Sequence, residues 1–215
     1  MGAGTWFAQW PFGIPVCPGL DRTAWFEITM QKRDLYLEAQ QVLAEAEMLY
    51  TAADVEKALE RMAVEITASL AGKNPLILCM MTGAIVPAGI LLPRLDFPLE
   101  LDYVHVSRYR GDTSGSHIQW LRKPEISLRN RTVLLVDDIL DEGITLTATI
   151  EECNKLNAAK IHTAVLADKQ LNRSRVLKQA DFTALTVPDR YVFGYGMDYK
   201  GYLRNAPGIY AVKEL

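Results

Sequence analysis

The segment Thr132 to Leu146 reads Thr-Val-Leu-Leu-Val-Asp-Asp-Ile-Leu-Asp-Glu-Gly-Ile-Thr-Leu and concentrates three aspartates around one turn. An ionised carboxylate only accepts hydrogen bonds, so the adjacent pair Asp137 and Asp138 suits the hydroxyls of a polyol. Asp141 follows in a short loop, and Gly143 and Thr145 then lead into a helical pattern. Backbone N–H groups of such a turn, and of a helix N-terminus, hold phosphate. The predicted ligand is therefore both a polyol and a phosphate. Two adjacent carboxylates repel each other, so a purely structural role for them at a strand end is poorly motivated.

The elements on either side must position these groups. Val133 to Val136 is an apolar run that reads as a buried strand ending at the acidic pair. A helix is predicted from about Thr145 to Leu156. Further strands are expected at Leu76 to Met81, Leu99 to Ser107, Ile161 to Ala167, Phe182 to Val187 and Ile209 to Val212, with a returning hairpin strand at Ile118 to Leu121. Thr82-Gly83 turns the first of these into a helix that stops near Leu92-Pro93. Upstream, Leu35, Val42, Leu43, Ala46 and Leu49 mark one helix, and Val55, Leu59, Met62, Ile66 and Leu70 form the apolar face of the next. Thr51 with Asp54 has the form of a cap on that second helix, and Gly72 stops it. Strands alternate with helices through the centre, so the fold class is α/β with a mainly parallel sheet flanked by helices. Such sheets bind ligands at the carboxyl ends of their strands, where strand order reverses. Thr82-Gly83, Asp137-Asp138 and Asp168-Lys169 are all expected at those ends.

A chain of 215 residues predicts one substantial domain with a small accessory part. The net charge of −3 argues against a general nucleic-acid binder. Cys17, Cys79 and Cys153 form no C-x-x-C pair, so neither a zinc site nor a disulfide framework is expected, and a reducing, cytoplasmic compartment fits best. No apolar run approaches the roughly 18 residues that span a bilayer, and no signal peptide is read. Residues 1 to about 30 look foreign to the rest. Trp6, Phe7, Trp10, Phe12, Trp25 and Phe26 are interspersed with Pro11, Pro15 and Pro18 without a period, so loop or disorder is expected. Met30 as the natural start, or a clasp of aromatics docked on the body, are the two readings of this leader.

Val136-Asp-Asp-Ile-Leu-Asp-Glu-Gly-Ile-Thr145 resembles the phosphoribosyl-pyrophosphate (PRPP) binding motif of type I phosphoribosyltransferases. Val187-Pro-Asp-Arg-Tyr-Val-Phe-Gly-Tyr-Gly-Met-Asp-Tyr199, followed by Arg204, resembles the 6-oxopurine branch, the hypoxanthine-guanine phosphoribosyltransferases. The likeness runs from about residue 35 to 213, and two motifs in the right order are more specific than either alone. It implies the type I phosphoribosyltransferase fold: one domain over 31–215, with a core over about 73–187 and a hood built from about 31–72 and 188–215. It also implies a purine-salvage enzyme in which a purine ring nitrogen displaces pyrophosphate from C1 of PRPP, giving IMP or GMP, with Mg²⁺ suited to the oxygen-rich site.

By the same resemblance, Asp137 and Asp138 would hold the ribose 2′ and 3′ hydroxyls, directly or through Mg²⁺. Asp141 would be the acid–base residue at the purine N7 as N9 attacks. Asp141, Glu142, Gly143, Ile144 and Thr145 would wrap the 5′-phosphate with backbone N–H groups and the Thr145 hydroxyl, Gly143 permitting close approach. Thr82 and Gly83 correspond to the pyrophosphate loop, with a cis bond expected between Met81 and Thr82. Arg204 would grip pyrophosphate, and Asp198 would bind a second Mg²⁺ or its water shell. Lys169 would donate to the purine 6-oxo group, Tyr191 would stack on the ring, and the Val192 backbone would meet the Watson–Crick edge. Arg108 and Tyr109 would open a closing lid whose Thr113-Ser-Gly-Ser116 is small and polar.

Three positions depart from the family pattern. Glu142 stands where Thr or Ser is common, Thr82 where Lys or Asn follows the cis bond, and Arg108 where Ser precedes Tyr. Glu142 is expected to point outward and contribute only its amide. A signalling receiver domain also has a strand ending in Asp-Asp, but too few residues follow Val133 for its βα units. A non-catalytic RNA-binding regulator on the same fold is disfavoured by the mild net charge. A xanthine-preferring enzyme stays open, because Lys169 and Tyr191 do not read C2. The expected partners are PRPP and a 6-oxopurine, with no nucleic acid and no membrane, in a homodimer or homotetramer.

Overall fold

A computed structural model describes residues 22–109 and 117–213. The elements run α1 (Arg22–Glu45), β1 (Glu47–Thr51), α2 (Ala52–Leu70), β2 (Leu76–Met81), α3 (Ile85–Leu91), β3 (Glu100–Tyr109), β4 (His117–Arg122), β5 (Thr132–Leu140), α4 (Ile144–Lys155), β6 (Lys160–Gln170), β7 (Phe182–Pro188), β8 (Val192–Phe193) and β9 (Gly208–Ala211). The large sheet has the order β4-β3-β2-β5-β6-β7, and β1-β9-β8 form a small antiparallel sheet. All neighbours in the large sheet are parallel except β4, which returns antiparallel to β3. The chain adds β3 on one side of β2 and β5, β6 and β7 on the other. Strand order therefore reverses between β2 and β5, and a crevice forms beyond their carboxyl ends.

β2 and β5 are apolar along both faces because both faces are covered. Ile77, Cys79, Leu134 and Val136 pack in one core with Val55, Leu59, Met62, Ile66 and Leu70 of α2. The alternate residues Leu76, Leu78, Met80, Val133 and Leu135 pack in a second core with Leu146 and Cys153 of α4. The capping box forms as expected: Thr51 Oγ1 accepts from the Asp54 N–H, and Asp54 Oδ2 accepts from the Thr51 N–H at 3.0 Å. Gly72, with φ of 78°, ends α2.

Four expectations change. The predicted helix through Leu49 stops at Glu45, and Glu47–Thr51 pairs instead with β9, from Glu47↔Ala211 to Thr51↔Gly208. That partner lies far away in the chain, so no local period announces it. α1 also starts at Arg22, inside the stretch expected to be loop. It is held by the C-terminal segment: Glu38 Oε1 accepts from Tyr199 Oη and Lys200 Nζ, both at 2.6 Å, and Tyr36 meets Tyr202. α2, expected in the hood, gives its apolar face to the large sheet. Finally, β5 does not end before the acidic pair. It continues to Leu140 because β6 is equally long and matches it from Thr132↔Lys160 to Leu140↔Asp168. Residues 1–21 and the lid tip Thr113–Ser116 lie outside the described residues. Among the described residues no helix is long and apolar enough to cross a membrane.

Asp102 anchors the β3–β4 hairpin. It is only 8% exposed. Its Oδ1 accepts from Arg122 at 2.9 Å and from the Tyr103 N–H, and its Oδ2 accepts from the N–H groups of Glu125 and Ile126. Burial alone would raise this carboxyl. The three N–H donors and the guanidinium outweigh burial and hold it below the ordinary carboxylate range. A depressed native pKa contributes stability above the unfolded value that is lost as pH falls through the native one. Asp102→Asn should therefore lose about 1–3 kcal/mol at neutral pH, as expected when buried donors lose a charged acceptor. Denaturant titrations should show the gap to wild type closing as pH drops below the normal carboxylate range.

Candidate active site

The crevice at the reversal point is a cleft of about 420 Å³. Its walls come from the ends of β2, β3 and β5, the start of α4, and Asp198 and Arg204 of the hood. Asp137 and Asp138 form its floor. The Asp138 N–H donates to Asp137 Oδ1 at 2.9 Å, and the Ile139 N–H donates to Asp138 Oδ1 at 2.8 Å. Burial pushes both carboxyls above their ordinary range, and the Asp138 charge pushes Asp137 further. The Arg204 guanidinium pulls in the other direction. It bridges two acids, with Nη2 at 2.6 Å from Asp198 Oδ1 and Nη1 at 3.7 Å from Asp138 Oδ2. Asp198 Oδ2 accepts from the Gly201 N–H at 2.7 Å, so that carboxylate is fixed on both oxygens.

Two glycines allow this convergence. A Cβ on Gly83 would overlap the Asp138 carboxylate, and a Cβ on Gly196 would overlap the Gly83 carbonyl. The end of β2 is thus pressed between β5 and the hood. The Met81–Thr82 peptide bond is cis, as expected.

Residues 141–146 line the opposite wall. Gly143, with φ of 77°, is the residue that precedes α4, and no side chain caps the first turn of that helix. Its leading N–H groups are therefore available to an anion. Gly143 is constrained more by its neighbour than by the cleft, because a Cβ there would collide with Leu177. Glu142 has its carboxylate 3.9 Å from Arg173, and its carbonyl accepts from the Val176 N–H. Asp141 meets Lys169 at 2.8 Å through Oδ2, while its buried Oδ1 has no hydrogen-bond partner among the described residues.

One cleft thus unites Thr82, Gly83, Asp137, Asp138, residues 141–145, Asp198 and Arg204, and Lys169 joins through Asp141. Tyr191 and Val192 stand outside its wall. Tyr191 is half-exposed and edge-on to Tyr199, and Val192 is buried and paired with Ala211. Arg108 and Tyr109 close β3, but their side chains lie outside the described ones. His105, Val106 and Ser107 line the cleft and were missed. Met81 and His105 are in register, so applying the strand-end rule to β3 as well as β2 would have found them.

Among the described residues, no three His, Cys, Asp or Glu side chains converge as a protein-only metal cage. Mg²⁺ instead combines one or two carboxylates with phosphate oxygens and water. The crowded Asp137–Asp138 pair, whose carboxyls burial raises above their ordinary range, fits that donor set.

A mainly parallel sheet with an acidic cleft at its reversal point is the frame of an α/β protein that binds its ligand beyond the strand ends. Residues 45–200 match the family model described as a phosphoribosyl transferase domain, and the chain belongs to that family. A hypoxanthine-guanine-xanthine phosphoribosyltransferase of Tritrichomonas foetus is 32% identical over 167 residues, covering 78% of this chain and 91% of the relative. A hypoxanthine-guanine phosphoribosyltransferase of Streptococcus pneumoniae is 34% identical over 163 residues, covering 75% and 89%. Among solved structures, a hypoxanthine phosphoribosyltransferase of Staphylococcus aureus superposes with a TM-score of 0.72 at 29% identity, covering 78% and 91%.

Gly83→Ala must displace the Asp138 carboxylate from Arg204. In a calorimetric titration with PRPP and Mg²⁺ the variant should bind at least about tenfold more weakly, equivalent to about 1.4 kcal/mol. Circular dichroism should show the variant still folded, because the collision is with a cleft side chain and not with the apolar core.

Proposed function

We propose that this chain transfers the 5-phosphoribosyl group of PRPP to hypoxanthine or guanine, giving IMP or GMP and pyrophosphate in purine salvage. The observation that carries the reading is the Asp141–Lys169 contact of 2.8 Å beside the acidic cleft. One acceptor and one obligate donor stand side by side, as the N7 and 6-oxo edge of a purine requires. Lys169 can donate to a 6-oxo group but has nothing to accept from the 6-amino group of adenine. Asp141 is the assigned base: its carboxylate takes or shares the N7 proton while N9 attacks C1.

Asp137 and Asp138 accept from the ribose 2′ and 3′ hydroxyls. The amides of residues 141–145 and the Thr145 hydroxyl hold the 5′-phosphate. The Arg173 contact supports an outward Glu142, whose charge then stays off that phosphate. Arg204 neutralises pyrophosphate as it leaves, together with the Thr82–Gly83 amides, and this charge stabilisation is the main source of rate enhancement. Asp137, Asp138 and Asp198 are the assigned Mg²⁺ contacts, and bound Mg²⁺ would supply further neutralisation of the pyrophosphate oxygens. Tyr191, with a half-exposed ring, and the Val192 backbone are assigned to the purine ring and its Watson–Crick edge. Arg108 and Tyr109 are assigned to a lid that excludes water from the reaction. A cytoplasmic homo-oligomer completes the reading, and the free buried thiols of Cys79 and Cys153 are compatible with a reducing compartment.

A spectrophotometric assay with PRPP, Mg²⁺ and each of four bases tests this directly. Turnover is expected with hypoxanthine and guanine and should be negligible with adenine. Xanthine is the arm that reports on C2, because the Tritrichomonas relative carries xanthine in its name. A folded enzyme that consumes none of the three 6-oxopurines would sink the reading. Asp141→Asn should lower kcat about 10²–10⁴-fold, the usual worth of a positioned base. Glu142→Thr should change the KM for PRPP less than about fivefold, since an exposed ion pair contributes at most about 1 kcal/mol. A large fall would mean that the carboxylate had been repelling the phosphate.

A further inference from the structure

The loop between β6 and β7 contains a buried cation that no catalytic step above uses. Arg175 is almost covered, with its side chain 13% exposed. Its guanidinium forms a two-pronged pair with Asp168, Nη1 to Oδ1 at 2.5 Å and Nη2 to Oδ2 at 3.0 Å. The same Nη1 donates to the Lys169 carbonyl at 3.0 Å and, at the long limit of 3.5 Å, to the Leu140 carbonyl. Nε donates to the Lys178 carbonyl at 2.9 Å. These acceptors have a common feature: Leu140 immediately precedes Asp141, and Asp168 immediately precedes Lys169. Leu140 and Asp168 also face each other in the β5–β6 register.

We infer that Arg175 is a positioning residue, whose planar fork clamps the last rung of β5 and β6 so that the Asp141 carboxylate and the Lys169 ammonium meet at 2.8 Å. Past this rung the two strands separate. β5 turns into α4, and β6 runs into the loop that carries Arg175 itself. Lys169 stays within β6, paired with Val187 of β7, so without the clamp only the backbone rung Leu140↔Asp168 would hold Asp141, beyond the end of β5, against it. The clamp also returns the loop onto β6 through the Lys178 carbonyl, which brings Leu177 under Gly143. Arginine is required here because a lysine ammonium is a point charge and cannot hold acceptors in several directions within one plane.

The inference rests on the assignment of Asp141 and Lys169 to the purine, so its test separates the purine from PRPP. Arg175→Lys keeps the charge opposite Asp168 and loses the fork. Its kcat/KM for hypoxanthine should fall about tenfold or more, since a displacement of 1 Å at a reacting group can cost about 10²-fold. Its KM for PRPP should rise by less than about threefold, because the N–H groups of residues 142–145 stay with α4. A crystal structure of the variant should show Lys169 Nζ and Asp141 Oδ2 separated beyond the roughly 4 Å that bounds an ion pair. Asp168→Asn, which keeps the shape and removes the charge, should give the same split between substrates and serves if Arg175→Lys does not fold. A folded variant with wild-type hypoxanthine kinetics, or with the pair still in contact, overturns the proposal. So does an equal loss for both substrates accompanied by a lower thermal midpoint, which marks a purely structural arginine. If the wild-type enzyme itself turns over no 6-oxopurine, the functional reading fails, and the Lys169–Asp141 separation in the variant crystal decides the positioning role alone.

Discussion

Two neighbouring carboxylates set into the end of a central strand lose hydration and repel each other, and the rest of the site is organised around that cost. Asp137 and Asp138 cannot spread apart, because they are neighbours in β5, which stays paired with β6 at this level after its pairing with β2 has ended at Val136. Counter-charge must come to them. It comes from Arg204, which lies far along the chain and reaches the cleft because the hood folds back over β2. A cluster that leaves one of its acids only loosely paired, at 3.7 Å, is ready for a further cation or for hydroxyl donors. The feature that makes this charge arrangement costly is also what recommends it as a sugar-phosphate site.

The approach of the hood depends on missing side chains as much as on charges. Gly196 rests on the Gly83 carbonyl, and Gly83 rests on Asp138. This stack of two glycines and a carboxylate lets three segments meet where ordinary residues would hold them a side chain apart. The hood itself has a modest core. Phe193 stacks on Tyr210, and β8 and β9 share two residue pairs. Its position is set by Val192, Tyr195, Met197 and Ile209, which join the apolar core against α2, together with its contacts to α1, Gly83 and the acidic pair. Hood placement and site charge are one coupled arrangement, so changes to either should be felt by the other.

The parallel sheet supplies the rigid part. β5 and β6 keep register through Leu140↔Asp168, carrying ordered backbone up to the residues that bear chemistry. The helix cap was placed correctly from residue types, because a capping box is closed within four neighbouring residues. The apolar face of α2 and the buried strands β2 and β5 were also legible, since a period of 3.6 or an unbroken apolar run is a local property. β1 and the early start of α1 were not. β1 depends on a partner from the last part of the chain, and Leu49 fits a helical stripe as well as it fits a strand, while the first turns of α1 lie in a stretch without a helical period. Local pattern likewise could not choose which layer α2 would join, because an apolar face does not name the surface that will cover it.

For the site, the amino-acid sequence by itself determined the chemical inventory: an acidic pair, a glycine turn opening an uncapped helix, and a second motif with its arginine. These are set by residue type and short spacing. Only the tertiary structure decided which of those groups touch. It joined Asp141 to Lys169 and Arg204 to Asp138, aimed Glu142 at Arg173, and left Tyr191 and Val192 outside the cleft wall. Charges separated by tens of residues pair only after strand order and hood placement bring them within a few ångströms. Coulomb attraction depends on distance in space, and spacing along the chain does not encode it.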